Sequence, residues 1–231
     1  MLPRTPVERE AALASLGFQE IGRSTEGRPI VGRCFPARQT AGAGAPLLVM
    51  GGIHGDEPAS VDALLDLLAR LPVGLPAPVW LVPAANPDGL AAGRKNSARN
   101  VDLNRNFPAR SFRTDHQRGY FPGAAPLSEP ETRALADLIA REGIGAALAV
   151  HAPFACVNYD GPAAAWAQAV SQACGWPARG DIGYPTPGSF GSWLGIDRGL
   201  PVLTLELPPG PLAGFRSQAA AALDAGLLHS R

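Results

Sequence analysis

An α/β domain with a mostly parallel central sheet follows from three features of this 231-residue sequence. Apolar runs of strand length alternate with segments of helical periodicity; several of those runs are apolar without a break; and polar clusters follow them directly. Unbroken apolar runs mark strands covered on both faces, and alternation with helices gives the crossover connections of a parallel sheet. The length suits one domain over residues 1–231 with its own core.

Phe18 to Arg23 and Ile30 to Phe35 flank the turn residues Ser24 to Pro29, which predicts a hairpin and an antiparallel sheet edge. Pro46 to Gly52 is the first buried strand. Asp56-Glu57-Pro58 then opens a helix on which Val61, Leu64, Leu65, Leu67, Leu68 and Leu71 recur at helical spacing. Val79 to Pro83, Ala146 to Val150 and Pro201 to Leu207 are further buried strands. Ser128 and Glu131 have capping-box spacing and predict a helix from there to about Arg141. Gly161 to Ala173 and Leu212 to Leu228 complete the helices, and Ala41 to Ala45 reads as a surface loop.

Lys+Arg and Asp+Glu are both 20, so no net field draws the chain to nucleic acid or an anionic membrane. Hydrophobic residues at 46% against 17% charged describe a folded protein and exclude a disordered one. The first six residues lack an apolar h-region, and no stretch is long and apolar enough to span a bilayer. Cys34, Cys156 and Cys174 are odd in number and lack C-x-x-C spacing, so reduced thiols in a cytoplasm are expected. Nothing fixes the oligomeric state, which is left open between monomer and homodimer.

In open α/β sheets ligands bind beyond the carboxyl ends of the strands, where the polar clusters fall. His54-Gly55-Asp56-Glu57 follows the first buried strand with H-x-x-E spacing, and His151 follows a neighbouring strand. Two His and one Glu are a common catalytic zinc set that leaves a position for water. A strand-end histidine alone is ordinarily structural, so the reading rests on the accumulation. Asp56 is the candidate to orient His54 or to cap the helix. Glu206 lies within an apolar strand, where a carboxylate needs compensation. It is either a core acid paired to an arginine or a general base acting on zinc-bound water. Asn86-Pro87-Asp88-Gly89 reads as a turn. Arg94, Asn96, Arg99, Asp102, Asn104, Arg105 and Asn106 form a cluster suited to a carboxylate or an oxyanion, or else a solvated loop. His116 and His229 receive no role, and Ala152 to Cys156 is either pocket lining or an ordinary apolar segment.

These segments, with Val101-Asp102-Leu103-Asn104-Arg105-Asn106-Phe107-Pro108 and Thr204-Leu205-Glu206-Leu207, occur in the order and setting of the zinc carboxypeptidase family, which the chain resembles from about Phe18 to Pro209. Within the family, Tyr184 to Trp193 is most similar to the murein peptide amidase branch. The resemblance implies a phosphorylase/hydrolase-like fold with a mixed, mostly parallel sheet of eight strands flanked by helices. It further implies one zinc ion on His54, Glu57 and His151, with Glu206 as general base and acid. Arg94 would polarise the scissile carbonyl, Asn104 and Arg105 would hold a terminal carboxylate, and Tyr184 would close over substrate. The segment from Arg94 to Asn104 is one residue longer than the usual R-x-N-x-x-G-V-D-L-N, with Asn100 where glycine is common, which makes Arg99 a rival to Arg94. Gly191 takes the position that floors the specificity pocket, which implies a roomy pocket, uncharged at its base, and argues against a basic-residue carboxypeptidase.

The implied activity is zinc-dependent hydrolysis of the γ-D-glutamyl-diaminopimelate amide bond in small murein peptides during cell-wall recycling. The alternative is an acylamino-acid deacylase of the succinylglutamate desuccinylase and aspartoacylase type, from which Tyr184 to Trp193 and Asn86 to Gly89 separate it. An inactive peptide-binding module is disfavoured because every ligand and Glu206 are present.

Overall fold

The computed structural model describes residues 4–38, 43–71 and 74–229. Ala41 and Gly42 of the expected Ala/Gly loop, and the first three residues, lie outside the described part. The chain folds as a helix α1 (Pro6–Ser15), hairpin strands β1 (Gln19–Arg23) and β2 (Pro29–Phe35), and then β3 (Leu47–Gly51), α2 (Pro58–Leu68), β4 (Val79–Val82) and α3 (Pro87–Ala92). It continues with α4 (Pro130–Glu142), β5 (Ala146–His151), β6 (Cys156–Asp160), α5 (Ala164–Cys174), β7 (Ala178–Arg179), β8 (Val202–Glu206) and α6 (Arg216–Leu228).

The eight strands form one sheet in the order β1-β2-β4-β3-β5-β8-β6-β7. β4, β3, β5 and β8 run parallel, whereas β2 on one side and β6 on the other join antiparallel. β3 is followed by β4 on one side of it, and the chain then returns to lay β5 on the other. That reversal of direction makes the β3/β5 boundary a topological switch point, where adjacent loops diverge and open a crevice.

Side chains of the parallel strands alternate between two buried layers. Leu47, Val49, Leu81, Leu148, Val150, Leu203 and Leu205 pack with residues of α2, α5 and α6. Leu48, Met50, Trp80, Val82, Ala147 and Ala149 pack on the other face with Leu135, Leu138 and Ile139 of α4 and with Phe107 and Phe190. This double coverage is why the strands read as unbroken apolar runs.

Several local expectations change. Ser128 does not cap α4: Glu129 is the residue before the helix, without a side-chain cap, and Ser128 Oγ instead accepts from Asn106 Nδ2 at 2.9 Å. Asn86-Pro87-Asp88-Gly89 is more than a turn, since Asn86 Oδ1 accepts from Gly89 N at 2.8 Å and starts α3. The last helical segment is a short 3-10 turn at Leu212–Gly214 followed by α6. α1, β6 and β7 have no counterpart in the sequence reading.

Candidate active site

β3 ends at Gly51, and the chain turns to bring His54 and Glu57 over the sheet edge beside β5, whose last residue is His151. Gly55 permits this turn, because a Cβ there would overlap the backbone of Gly89, in the first turn of α3. His54 Nδ1 lies 2.8 Å from Glu57 Oε1 and His151 Nδ1 lies 3.2 Å from Glu57 Oε2. The ligand-capable atoms of the three residues fall within 4.8 Å of one another, the one such group of His, Cys, Asp or Glu found among the described residues. The second Glu57 oxygen also accepts from Ala152 N at 3.1 Å.

The other nitrogen of His54, Nε2, lies 3.1 Å from Asp102 Oδ1, and Asp102 is fully buried. Asp102 therefore takes the role expected of Asp56, which is exposed and caps no helix. A carboxylate on the far side of a ligating imidazole fixes its tautomer and orientation. Burial alone would lower the His54 pKa, but the hydrogen bonds to Asp102 and Glu57 outweigh it and raise the value to about 9. Burial would likewise raise Glu57, yet the facing His151 and His54 bring it down to about 2. Asp102 is held well below the usual carboxylate range, because His54 prevails over burial there too.

Glu206 ends β8 directly opposite His151 in the parallel register. It is 5% exposed, and its Oε2 has no hydrogen-bond partner. Among the described residues no arginine pairs with it, so the core ion pair is not what holds it there. Burial dominates its titration and pushes the carboxyl above its ordinary range.

Across the crevice Asp102 also accepts from Asn104 N at 3.0 Å and starts a 3-10 turn, Leu103–Arg105, which delivers Asn104 and Arg105 to the cleft wall. Asn104 Oδ1 accepts from Phe190 N at 3.0 Å, tying this turn to the 184–191 segment. Arg105 is buried, donates to Asn104 O at 2.7 Å, packs over the Tyr120 ring and faces Tyr184. Tyr184 is 37% exposed at the cleft rim, its ring 6.1 Å from that of Phe154. Phe154 and its neighbours Ala152 and Pro153 do line the cleft.

Arg94 and Arg99 are not brought to this group. The Arg94 side chain is 44% exposed and turned toward Glu26 at 3.6 Å. That of Arg99 is 58% exposed, 3.9 Å from Glu129. Lys95 lines the cleft in their place, its Nζ 2.8 Å from Asp102 Oδ2 and 3.8 Å from the Tyr120 ring centre.

The cleft has a volume of about 1110 Å³. An acidic group stands beside Gly191: a Cβ there would run into the carboxyl of Asp160, which ends β6 and lines the cleft. Burial pushes the Asp160 carboxyl upward. Lys95, Tyr120 and Asp160 have no place in the sequence reading, and Asp102 enters it only as a cluster member. Asp160 belongs to a strand without an apolar signature, and Lys95 stands between Arg94 and Asn96 in a loop where the arginines draw the reading.

The family model described as zinc carboxypeptidase matches residues 14–164. The chain belongs to the zinc carboxypeptidase family. Murein peptide amidase A of Escherichia coli (strain K12) is 37% identical over 205 residues, covering 84% of this chain and 82% of that protein. Its counterpart in Vibrio campbellii is 35% identical over 227 residues, covering 90% and 85%. The crystal structure of murein-tripeptide amidase MpaA from E. coli O157 superimposes with a TM-score of 0.76 at 33% identity, covering 100% of this chain and 98% of that one. Bovine thrombin-activatable fibrinolysis inhibitor shares the fold, with a TM-score of 0.81 at 19% identity and coverage of 99% and 96%. As a zinc carboxypeptidase family member with these amidase relatives, the chain is a peptide-bond hydrolase, and its two histidines and one glutamate form a triad able to hold a metal.

Proposed function

We propose that this protein is a zinc amidase that cleaves the γ-D-glutamyl-diaminopimelate bond of small murein peptides in the cytoplasm. The observation that carries the reading is the convergence of His54, Glu57 and His151 beside a buried Glu206 whose Oε2 is unpartnered. Two imidazoles and a carboxylate, oriented from behind by Asp102, are a donor set that suits zinc. When bound, zinc supplies Lewis acidity toward the scissile carbonyl and acidifies a water.

The residues then divide the remaining work. Glu206 takes a proton from the attacking water and returns it to the departing nitrogen as the C-N bond breaks, leaving a carboxylate and an amine. Arg105, buried and without a carboxylate in ion-pair distance among the described residues, is placed to grip a substrate carboxylate, with the Asn104 amide beside it. Tyr184 closes the rim over the bound peptide. Asp160, beside Gly191 in the cleft lining, supports a side chain that carries an ammonium group, as diaminopimelate does. All three cysteines are free, in keeping with a reducing compartment, and no described helix is long and apolar enough to cross a membrane.

The test is a substrate panel on the zinc-loaded protein. Release of L-Ala-γ-D-Glu and free diaminopimelate from murein tripeptide is expected, with faster turnover than for any N-acyl amino acid. Turnover of N-acyl amino acids with the tripeptide left intact would favour the deacylase and overturn the assignment.

A further inference from the structure

The amide hydrolysis proposed above needs a cation near the carbonyl oxygen, where negative charge develops as water adds. Neither Arg94 nor Arg99 reaches the cleft. We propose that Lys95 is that cation, its ammonium donating to the oxyanion while Asp102 holds it in place; this inference rests on the peptide-hydrolase reading of the cleft.

Three independent observations converge on Lys95. Its backbone is clamped between the two motif loops, since its carbonyl accepts from Asn86 Nδ2 at 3.2 Å and from Gly55 N at 3.2 Å. The residue is thereby fixed to the turn that carries His54. Its Nζ is 2.8 Å from Asp102 Oδ2, while the other oxygen of the same carboxylate is 3.1 Å from His54 Nε2. One buried carboxylate thus bridges the ammonium and the ligand imidazole. Finally, counting back from Val101 without a gap, Lys95 falls on the arginine of R-x-N-x-x-G-V-D-L-N, and Asn100 falls on the glycine. Asn100 adopts φ 62, the left-handed conformation for which glycine is the usual residue and asparagine the best substitute. In this register the loop has the usual length, and lysine stands in the place of arginine.

A lysine ammonium has three donors. Asp102 holds the ammonium as an ion pair and the Tyr120 face shields one side of the group, which leaves donors for a carbonyl oxygen entering the cleft. Unlike a guanidinium, the ammonium is a compact point charge without a bidentate fork. It polarises a single oxygen and leaves carboxylate recognition to Arg105.

The experiment compares Lys95→Met, Lys95→Arg and Arg94→Ala with the wild type in the zinc-loaded protein. It reads kcat and KM on murein tripeptide, zinc per chain, and calorimetric affinity for a phosphinate analogue of the tetrahedral adduct. Lys95→Met is expected to lower kcat by about 10²- to 10³-fold, as loss of one oxyanion donor does, and to weaken the phosphinate comparably. KM and zinc content should stay near wild type, Lys95→Arg should recover part of kcat, and Arg94→Ala should retain most of it. Near-normal kcat and phosphinate affinity in Lys95→Met, or a large kcat loss in Arg94→Ala, would overturn the proposal. So would a loss in Lys95→Met that tracks lost zinc, since Lys95 would then act only through Asp102. A wild type inactive on every peptide would remove the underlying reading instead, and the phosphinate measurement keeps the two failures apart.

Discussion

Glu206, His151 and His54 sit within one small volume yet are expected to fail differently when changed. Glu206→Gln keeps the shape and hydrogen-bonding reach of the side chain but removes its ability to take a proton. Its kcat should fall by at least about 10²-fold with zinc content unchanged. His151→Ala removes one of the three proposed ligands and should lose the metal itself, which elemental analysis of the purified variants separates from a purely catalytic defect. His54 gives a second, pH-resolved prediction. In the metal-free protein its pKa of about 9 keeps it protonated at neutral pH, because Asp102 and Glu57 both favour the imidazolium. A ligating imidazole must be neutral, so zinc uptake displaces that proton. Zinc affinity should therefore climb as pH rises toward about 9 and level off above it, as competition titrations would read directly. The same residues show how far the sequence can be read. His54, Glu57, His151 and Glu206 are legible because strand ends announce themselves by the switch from apolar to polar residues. Asp102 as the partner of His54 is not, since 48 residues separate them and no periodicity encodes that contact.

At the scale of elements, the buried parallel strands are recoverable to within a residue or two, because coverage on both faces imposes an unbroken apolar pattern. β6 escapes for the opposite reason. It joins β8 antiparallel, its last two residues are partly exposed, and Cys-Val-Asn-Tyr-Asp shows no uniform apolar run. With β6 goes Asp160, and hence the carboxyl group beside Gly191. α1 is hidden because its one buried residue is an arginine. Arg9 Nε and Nη2 each donate to a different oxygen of Asp62 on α2 at 2.8 Å, with both side chains almost wholly buried. This pair tells strongly on stability only when it is broken on one side. Asp62→Ala leaves a buried guanidinium uncompensated and should cost about 3–5 kcal/mol in denaturant unfolding, whereas replacing both partners by apolar residues of similar volume should cost far less. Equal losses in the single and double variants would show that the pair does not join α1 to α2 as described.

For the whole molecule, zero net charge conceals a local grouping, with Lys95 and Arg105 flanking Tyr120 in the cleft and the carboxyl groups of Glu57, Glu206 and Asp160 also lining it. The fold brings this about by reversing its winding direction at the β3/β5 boundary, so that the ends of β3, β5 and β8 meet with Glu57, His151 and Glu206 together. Because the proposed zinc site draws on residues far apart in sequence, saturating zinc should raise the unfolding temperature and a chelator should lower it. The decisive experiment titrates zinc into the metal-free protein while following murein tripeptide by mass spectrometry. L-Ala-γ-D-Glu and diaminopimelate should appear in equal amounts, with turnover saturating at one zinc per chain. Intact tripeptide in the presence of a fully zinc-loaded protein would contradict the amidase assignment.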